Sequence, residues 1–254
     1  MTKIREFTYE TWTKMSQDAD SVMNLVDSGP FIVKSYMSPD QVMTIRAYCS
    51  QFALNLEPSW HPLLDDCPDY HRIHDNYAKA HVRSVQHGYY FHTWNQTFWN
   101  FFAIEPIRKV FLLKAKLSGL DSESFLLNSA SEGPVARLVV HQYPRGGGGQ
   151  EEHVDPVSNF ARIQTIIQAS SPGTDYQVGG LYYRDSDGNK INIDEATSMG
   201  DLIIMSPGVR HGVSRIDPED GVNWRSTSGR WIVLPVILHS DHFADSVERP
   251  SRVN

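Results

Sequence analysis

The chain has 254 residues, 40% hydrophobic and 21% charged, and its 30 acidic side chains against 23 Lys and Arg give a formal charge of −7. That length fits one medium domain, and the apolar fraction is that of a folded globular chain rather than a disordered one. The acidic balance argues against nucleic acid or an anionic membrane as partner, and the two cysteines, Cys49 and Cys67, suit neither a disulfide framework nor a zinc site. The opening MTKIREFTYETW lacks the apolar run of a leader and no stretch is apolar enough for a span, so a cytoplasmic location is expected.

In chain order, Phe31-Ile32-Val33 predicts a short strand. Ser38-Pro39-Asp40 offers an N-cap followed by proline at the first helical position, which predicts a helix through about Phe52. The stretch HRIHDNYAKAHVRSVQHGYYFH then gathers His71, His74, His81, Arg83, His87 and His92 among aromatics. No zinc spacing repeats there. The residues read either as ordinary structural and surface groups or as a polar wall in which Arg83 or Arg72, with His81, meets an anionic substrate group. From Thr93 to Leu120 apolar residues recur at steps of three and four, which predicts an amphipathic helix that Pro106 kinks or divides.

From Val135 the period changes to two. Turn signals separate ARLVVHQY, ARIQTIIQ, GGLYYRD, NKINI, DLIIM and RWIVLPVIL, and Asp187-Gly188 marks a hairpin. The expected class is α+β, mainly β: a sandwich or jelly roll with N-terminal helices packed on one sheet. Residues 1–254 read as a single domain, with a helical and strand part at 1–134 and the β core at 135–254.

In QEEHVDP, His153 and Asp155 are two apart, so on an extended segment both leave the same face and can reach one ion. His211, in SPGVRHGV beyond DLIIM, is the candidate third ligand. Two histidines and one carboxylate leave adjacent positions open on iron(II), the geometry that oxygen activation requires. The pair alone is weak, since His239 and Asp241 repeat the spacing with His242 beside them, but no histidine follows beyond His242. Gly146 to Gly149 lack the Gly-Lys-Ser/Thr of a phosphate loop and predict a mobile connection, a flap over the metal. Glu151 and Glu152 read as solvated charges.

The order of these parts from Val135 to Ile237 resembles the double-stranded β-helix of the iron(II)/2-oxoglutarate oxygenases, in particular the prolyl-hydroxylase-like and phytanoyl-hydroxylase-like branch. Tyr143-Pro144 stands ten residues before His153; then come HVDP, a strand ending in QAS, GGLYYRDSDG, MGDLIIMSPGVRHGV and GRWIVLPVIL. SGPFIVKSYMSPDQVMTIRAY is similar to the strand-then-helix opening of such enzymes, whereas residues 51–133 have no counterpart and are expected to carry substrate specificity.

The resemblance implies a cupin-like jelly roll, iron(II) on His153, Asp155 and His211, 2-oxoglutarate as cosubstrate and dioxygen as oxidant. It further implies hydroxylation, here of a small polar molecule, with release of succinate and carbon dioxide. Related halogenases lack the carboxylate that Asp155 supplies. Arg230, opening the last strand, is expected to bind the distal carboxylate of 2-oxoglutarate, with Arg225 of the inserted IDPEDGVNWRSTS as rival, and Tyr143 to hydrogen-bond the cosubstrate. Ile232 stands where the family often has serine. Strand alternation puts Arg162, Gln164, Ile166 and Gln168 on one face, so Gln164 and Gln168 either line the cosubstrate and substrate pocket or face solvent. The competing functions are a cupin-like oxygenase or isomerase that does not use 2-oxoglutarate, and a silent β-barrel binding module.

Overall fold

A computed structural model describes residues 4–55, 70–75, 82–121, 123–127 and 133–239. Cys67, His81, Asp241 and His242 lie outside the described residues. The helices are α1 (Tyr9–Met15), α2 (Ala19–Asp27), α3 (Pro39–Asn55), α4 (Gln96–Phe102) and α5 (Glu105–Leu117). The strands are β1 (Arg5–Thr8), β2 (Phe31–Lys34), β3 (Tyr70–Asp75), β4 (Ser84–His92), β5 (Pro134–Pro144), β6 (Gly148–His153) and β7 (Gln164–Gln168), followed by β8 (Gly180–Arg184), β9 (Lys190–Asn192), β10 (Leu202–Met205), β11 (His211–Ile216) and β12 (Gly229–His239).

Local chemistry explains the helix starts. Ser38 Oγ accepts from the Gln41 backbone N–H, and the Gln41 side chain accepts from the Ser38 N–H, so two donors that a helix N-terminus leaves unpaired are satisfied together. Thr8 and Asp18 cap α1 and α2 more simply, their side chains accepting from the Thr11 and Ser21 backbone N–H groups. The predicted helix at 93–120 is two helices. Pro106 sits in the first turn of α5, where its missing N–H costs nothing, and α4 ends before it.

The strands form one sheet in the order β1-β2-β10-β7-β12-β5-β4-β6-β11-β8-β9, with β3 on β4. Its spine is the pairing of β5 with β12, in register from Gly229 opposite Pro144 to His239 opposite Pro134. Alternate residues of the same strands bury on opposite faces. Trp231, Val233, Ile167, Leu138 and Val140 pack with Phe98, Val110 and Phe111 of the helices. Ile232, Leu234, Ile166, Ile203 and Tyr143 pack instead with Leu181, Tyr183, Val213 and Ile216 of β8 and β11. Strands far apart in the order thus share one apolar interior, so the sheet curls over on itself while the helices cover its other face.

The glycine run corrects its sequence reading. Gly146 and Gly147 turn the chain tightly from β5 to β6, their N–H groups donating to the Ile216 carbonyl, and Gly148 already begins β6. Packed against backbone, this segment is a turn and not a flap. No described helix is long and apolar enough to cross a membrane.

Candidate metal centre

β6 and β11 are antiparallel neighbours, and their register sets His153 directly opposite His211, with ring centroids 4.4 Å apart. Each imidazole Nδ1 lies 2.8 Å from a backbone carbonyl, Glu151 O for His153 and Val209 O for His211. A carbonyl only accepts, so Nδ1 carries the proton in both rings and Nε2 is the unprotonated, metal-binding nitrogen of each. Asp155, its backbone tied to Pro207 O at 3.0 Å, brings its carboxylate to 3.5 Å from His153 Nε2 and 3.6 Å from His211 Nε2. The three ligand atoms lie within 4.8 Å of one another. One ion with bonds of about 2.0–2.2 Å spans such a set after slight side-chain closure. Burial pushes the His211 imidazole below its ordinary pKa, partly opposed by Asp155, which keeps the ring in the neutral form that binds metal.

Gln164 donates its amide to Asp155 Oδ2 at 2.7 Å. It therefore orients the carboxylate of the triad rather than standing apart from it. Gln168, on the same face of β7, is fully buried and donates to the Tyr176 hydroxyl at 3.3 Å.

Arg230 is fully buried and clamped on one edge: Nε and Nη2 donate to Asp194 Oδ2 and Oδ1 at 2.6 and 2.9 Å. Tyr176 donates to the same carboxylate at 2.5 Å. Burial works against the guanidinium charge, but Asp194 outweighs it and holds the Arg230 pKa above its ordinary value. Arg230 Nη1 is buried without a hydrogen-bond partner among the described residues, so one donor group of the fork stays available. Tyr143 lies alongside, its ring 5.8 Å from the Arg230 guanidinium carbon and its hydroxyl donating to Gln150 Oε1 at 3.0 Å. Arg225 is exposed in the inserted loop. Two carboxylates of that loop pair with Arg145, which contacts Asp217 at 2.8 Å and Asp220 at 2.9 Å.

Arg83 is exposed in a surface groove with Gln150, Glu151, Tyr182, Lys190 and Arg215, and none of the triad lines that groove. Glu152 is not a simply solvated charge, because Arg184 and Arg210 pair with it at 2.8 and 3.4 Å. Sequence reasoning missed Asp194 and Gln150, whose significance depends on distant partners.

No protein-family model matches the sequence, and no curated protein matches it. Solved structures do match in shape. A prolyl-4-hydroxylase from Pseudomonas putida superposes with a TM-score of 0.53 at 13% identity, over 87% of this chain and 98% of that one. A full-length Neurospora crassa protein solved in complex with α-KG superposes with a TM-score of 0.56 at 15% identity, over 94% of this chain and 86% of that one. The chain has the fold of the 2OG-Fe(II) oxygenases.

Proposed function

We propose that this chain is an iron(II)- and 2-oxoglutarate-dependent dioxygenase, built on a double-stranded β-helix, that hydroxylates a small polar molecule. The observation that carries the reading is the convergence of His153, Asp155 and His211 from β6, the loop after it and β11, with both Nδ1 atoms committed to carbonyls. Iron(II) bound there with 2-oxoglutarate and dioxygen would supply the oxidation of a substrate C–H bond, releasing succinate and carbon dioxide. The protein's own part is positional. The two histidines hold the ion by Nε2, Gln164 fixes the plane of Asp155, and Arg230 offers Nη1 to the distal carboxylate of the cosubstrate beside Tyr143. Hydroxylation rather than halogenation follows from Asp155, which fills the position a halide would need. The solved complexes of the Neurospora crassa protein with α-KG, one of them also holding thymine, support a cosubstrate and small-molecule reading on this fold.

The test is metal and cosubstrate binding under nitrogen. The purified chain should take up one iron(II), develop visible charge-transfer absorption when 2-oxoglutarate is added, and release succinate once oxygen is admitted. His153→Ala and His211→Ala should each lose both the metal and the absorption. Unchanged metal content in both variants would move the site elsewhere.

A further inference from the structure

We propose that Asp194 makes cosubstrate binding proton-linked: 2-oxoglutarate enters together with one proton from the buffer, so that one of the two carboxyl groups then on Arg230 is held as the acid. This deepens the dioxygenase reading and rests on it. The ground is the partner that Arg230 already has. Its Nε and Nη2 are engaged by Asp194, the two side chains are 0% and 1% exposed, and together they carry no net charge. An arginine placed at the start of the last strand to receive a dianion is here neutralised before the dianion arrives.

The groups that face this pair bring no second positive charge. Tyr176, from the loop after β7, donates its hydroxyl to Asp194 Oδ2, and Gln168 of β7 donates to Tyr176. Tyr143 of β5 lies alongside the guanidinium. Around Asp194 itself, Asn192 Oδ1 accepts from the Asp194 N–H, Thr197 Oγ1 donates to the Asp194 carbonyl, and Gly180 of β8 comes so near that a Cβ there would stand 2.3 Å from Oδ2. Burial pushes the Tyr143 and Tyr176 hydroxyls well above the usual phenol range, so both stay neutral. Three donors, two from Arg230 and one from Tyr176, hold the Asp194 carboxylate in place, and it does not leave when a second anion arrives.

A carboxylate reaching Nη1 therefore puts two anions on one guanidinium in a closed interior. The metal end does not offset the excess, because Asp155 and the 2-oxo carboxylate already match the two charges of a divalent ion. Two carboxyl groups that share one cation away from water keep a proton, since desolvation and mutual repulsion both favour the neutral acid. Gln168 is the matching acceptor. Register sets it opposite Ile232, two residues beyond Arg230 and on the same face of β12, and its Oε1 is buried with no hydrogen-bond partner among the described residues. An ionised carboxylate cannot satisfy an acceptor, whereas a carboxylic O–H can.

The experiment uses the full chain loaded with Mn(II), titrated calorimetrically with N-oxalylglycine and with N-oxalylglycinamide, which differ only in whether the distal end is an acid or an amide. Titrations in PIPES and in Tris, whose ionisation enthalpies differ widely, count the protons taken up. Protons exchanged at the metal are common to the two ligands and cancel. At pH 7.5 the acid should take up about one proton more than the amide, and between pH 6.5 and 8.5 its dissociation constant should rise about tenfold per pH unit relative to that of the amide. Asp194→Asn should lose the extra proton, flatten the pH dependence and bind the acid about fivefold more tightly or better at pH 8.5, because Arg230 then meets the distal carboxylate with its charge intact. An aspartate that only braces the fold predicts the opposite, weaker binding with the pH dependence unchanged, and that result overturns the proposal. Equal proton counts for acid and amide overturn it as well. Thermal melts establish that Asp194→Asn folds; should it not, the comparison of the two ligands on the wild type decides alone. If neither ligand binds the metal-loaded chain, the dioxygenase reading falls and this proposal with it, whereas tight binding without an extra proton overturns the proposal and leaves that reading in place.

Discussion

Arg230 and Asp194 are 36 residues apart in sequence yet form a fully buried, two-point ion pair, and everything proposed for the cosubstrate end of the site depends on how that pair is shared. The clamp uses Nε and Nη2, so a carboxylate arriving at Nη1 meets a guanidinium already fixed in place. Arg230→Ala should raise the 2-oxoglutarate dissociation constant about thirtyfold, as expected when a buried charge partner worth roughly 2 kcal/mol or more is truncated. It should also lower stability by about 3–5 kcal/mol, because Asp194 is left buried and unpaired. Arg225→Ala, in the exposed loop, should change neither. Tryptophan-quench titration and denaturant melts measure the two effects separately, and the opposite ranking of the arginines would move the carboxylate site into the insertion. At this scale the triad was legible, because a two-residue spacing on an extended segment is a local property. Asp194 was not, because nothing in KINIDEA marks an aspartate that will meet an arginine from another strand.

At the scale of elements, legibility followed periodicity. The β5, β8, β10 and β12 runs were readable as apolar strands, and the break in the 93–120 helix followed from Pro106. β4 was hidden because all nine of its positions are buried, which erases any alternation, and its sequence SVQHGYYFH contains too few aliphatics to announce a strand. β6 was hidden by GGQEEH: glycines and charges that make a strand only because β4 and β11 pair with it on either side. The glycine run is likewise held from outside, by the Ile216 carbonyl and the Gly221 backbone. Gly146 has φ of +89°, and a Cβ there would stand 2.4 Å from the Gly221 backbone. Gly146→Ala should therefore cost about 1–3 kcal/mol, or roughly 2–10 °C in melting temperature. Gly221→Ala is the control, since a Cβ there meets nothing within 4 Å, and it should be nearly neutral. Equal melting temperatures for Gly146→Ala and the wild type would restore the flap.

At the scale of the molecule, the two-faced strands bury polar groups as well as apolar ones, and one of these makes stability depend on pH. His92, at the end of β4, is completely buried with its ring stacked on Trp94 at 4.6 Å, and burial, with Arg137 nearby, pushes its pKa from 6.5 to about 2. The folded protein thus keeps His92 neutral where the unfolded chain protonates it. A depressed folded pKa contributes stability that is present above pH 6.5 and lost as pH falls toward about 2. The slope for one such group approaches about 1.4 kcal/mol per pH unit. His211, also held low by burial, adds a slope of the same sign in the metal-free protein, but it is common to any variant of His92 and cancels in a comparison. Urea denaturation of metal-free wild type and His92→Phe between pH 8 and 5 should show parallel stabilities above pH 7. Below about pH 6.5 the wild type should lose stability faster, by roughly 2 kcal/mol at pH 5. Phenylalanine retains the ring that meets Trp94, so the difference reports the proton and not the packing; identical pH slopes in the two proteins would show that His92 takes up a proton in the folded state.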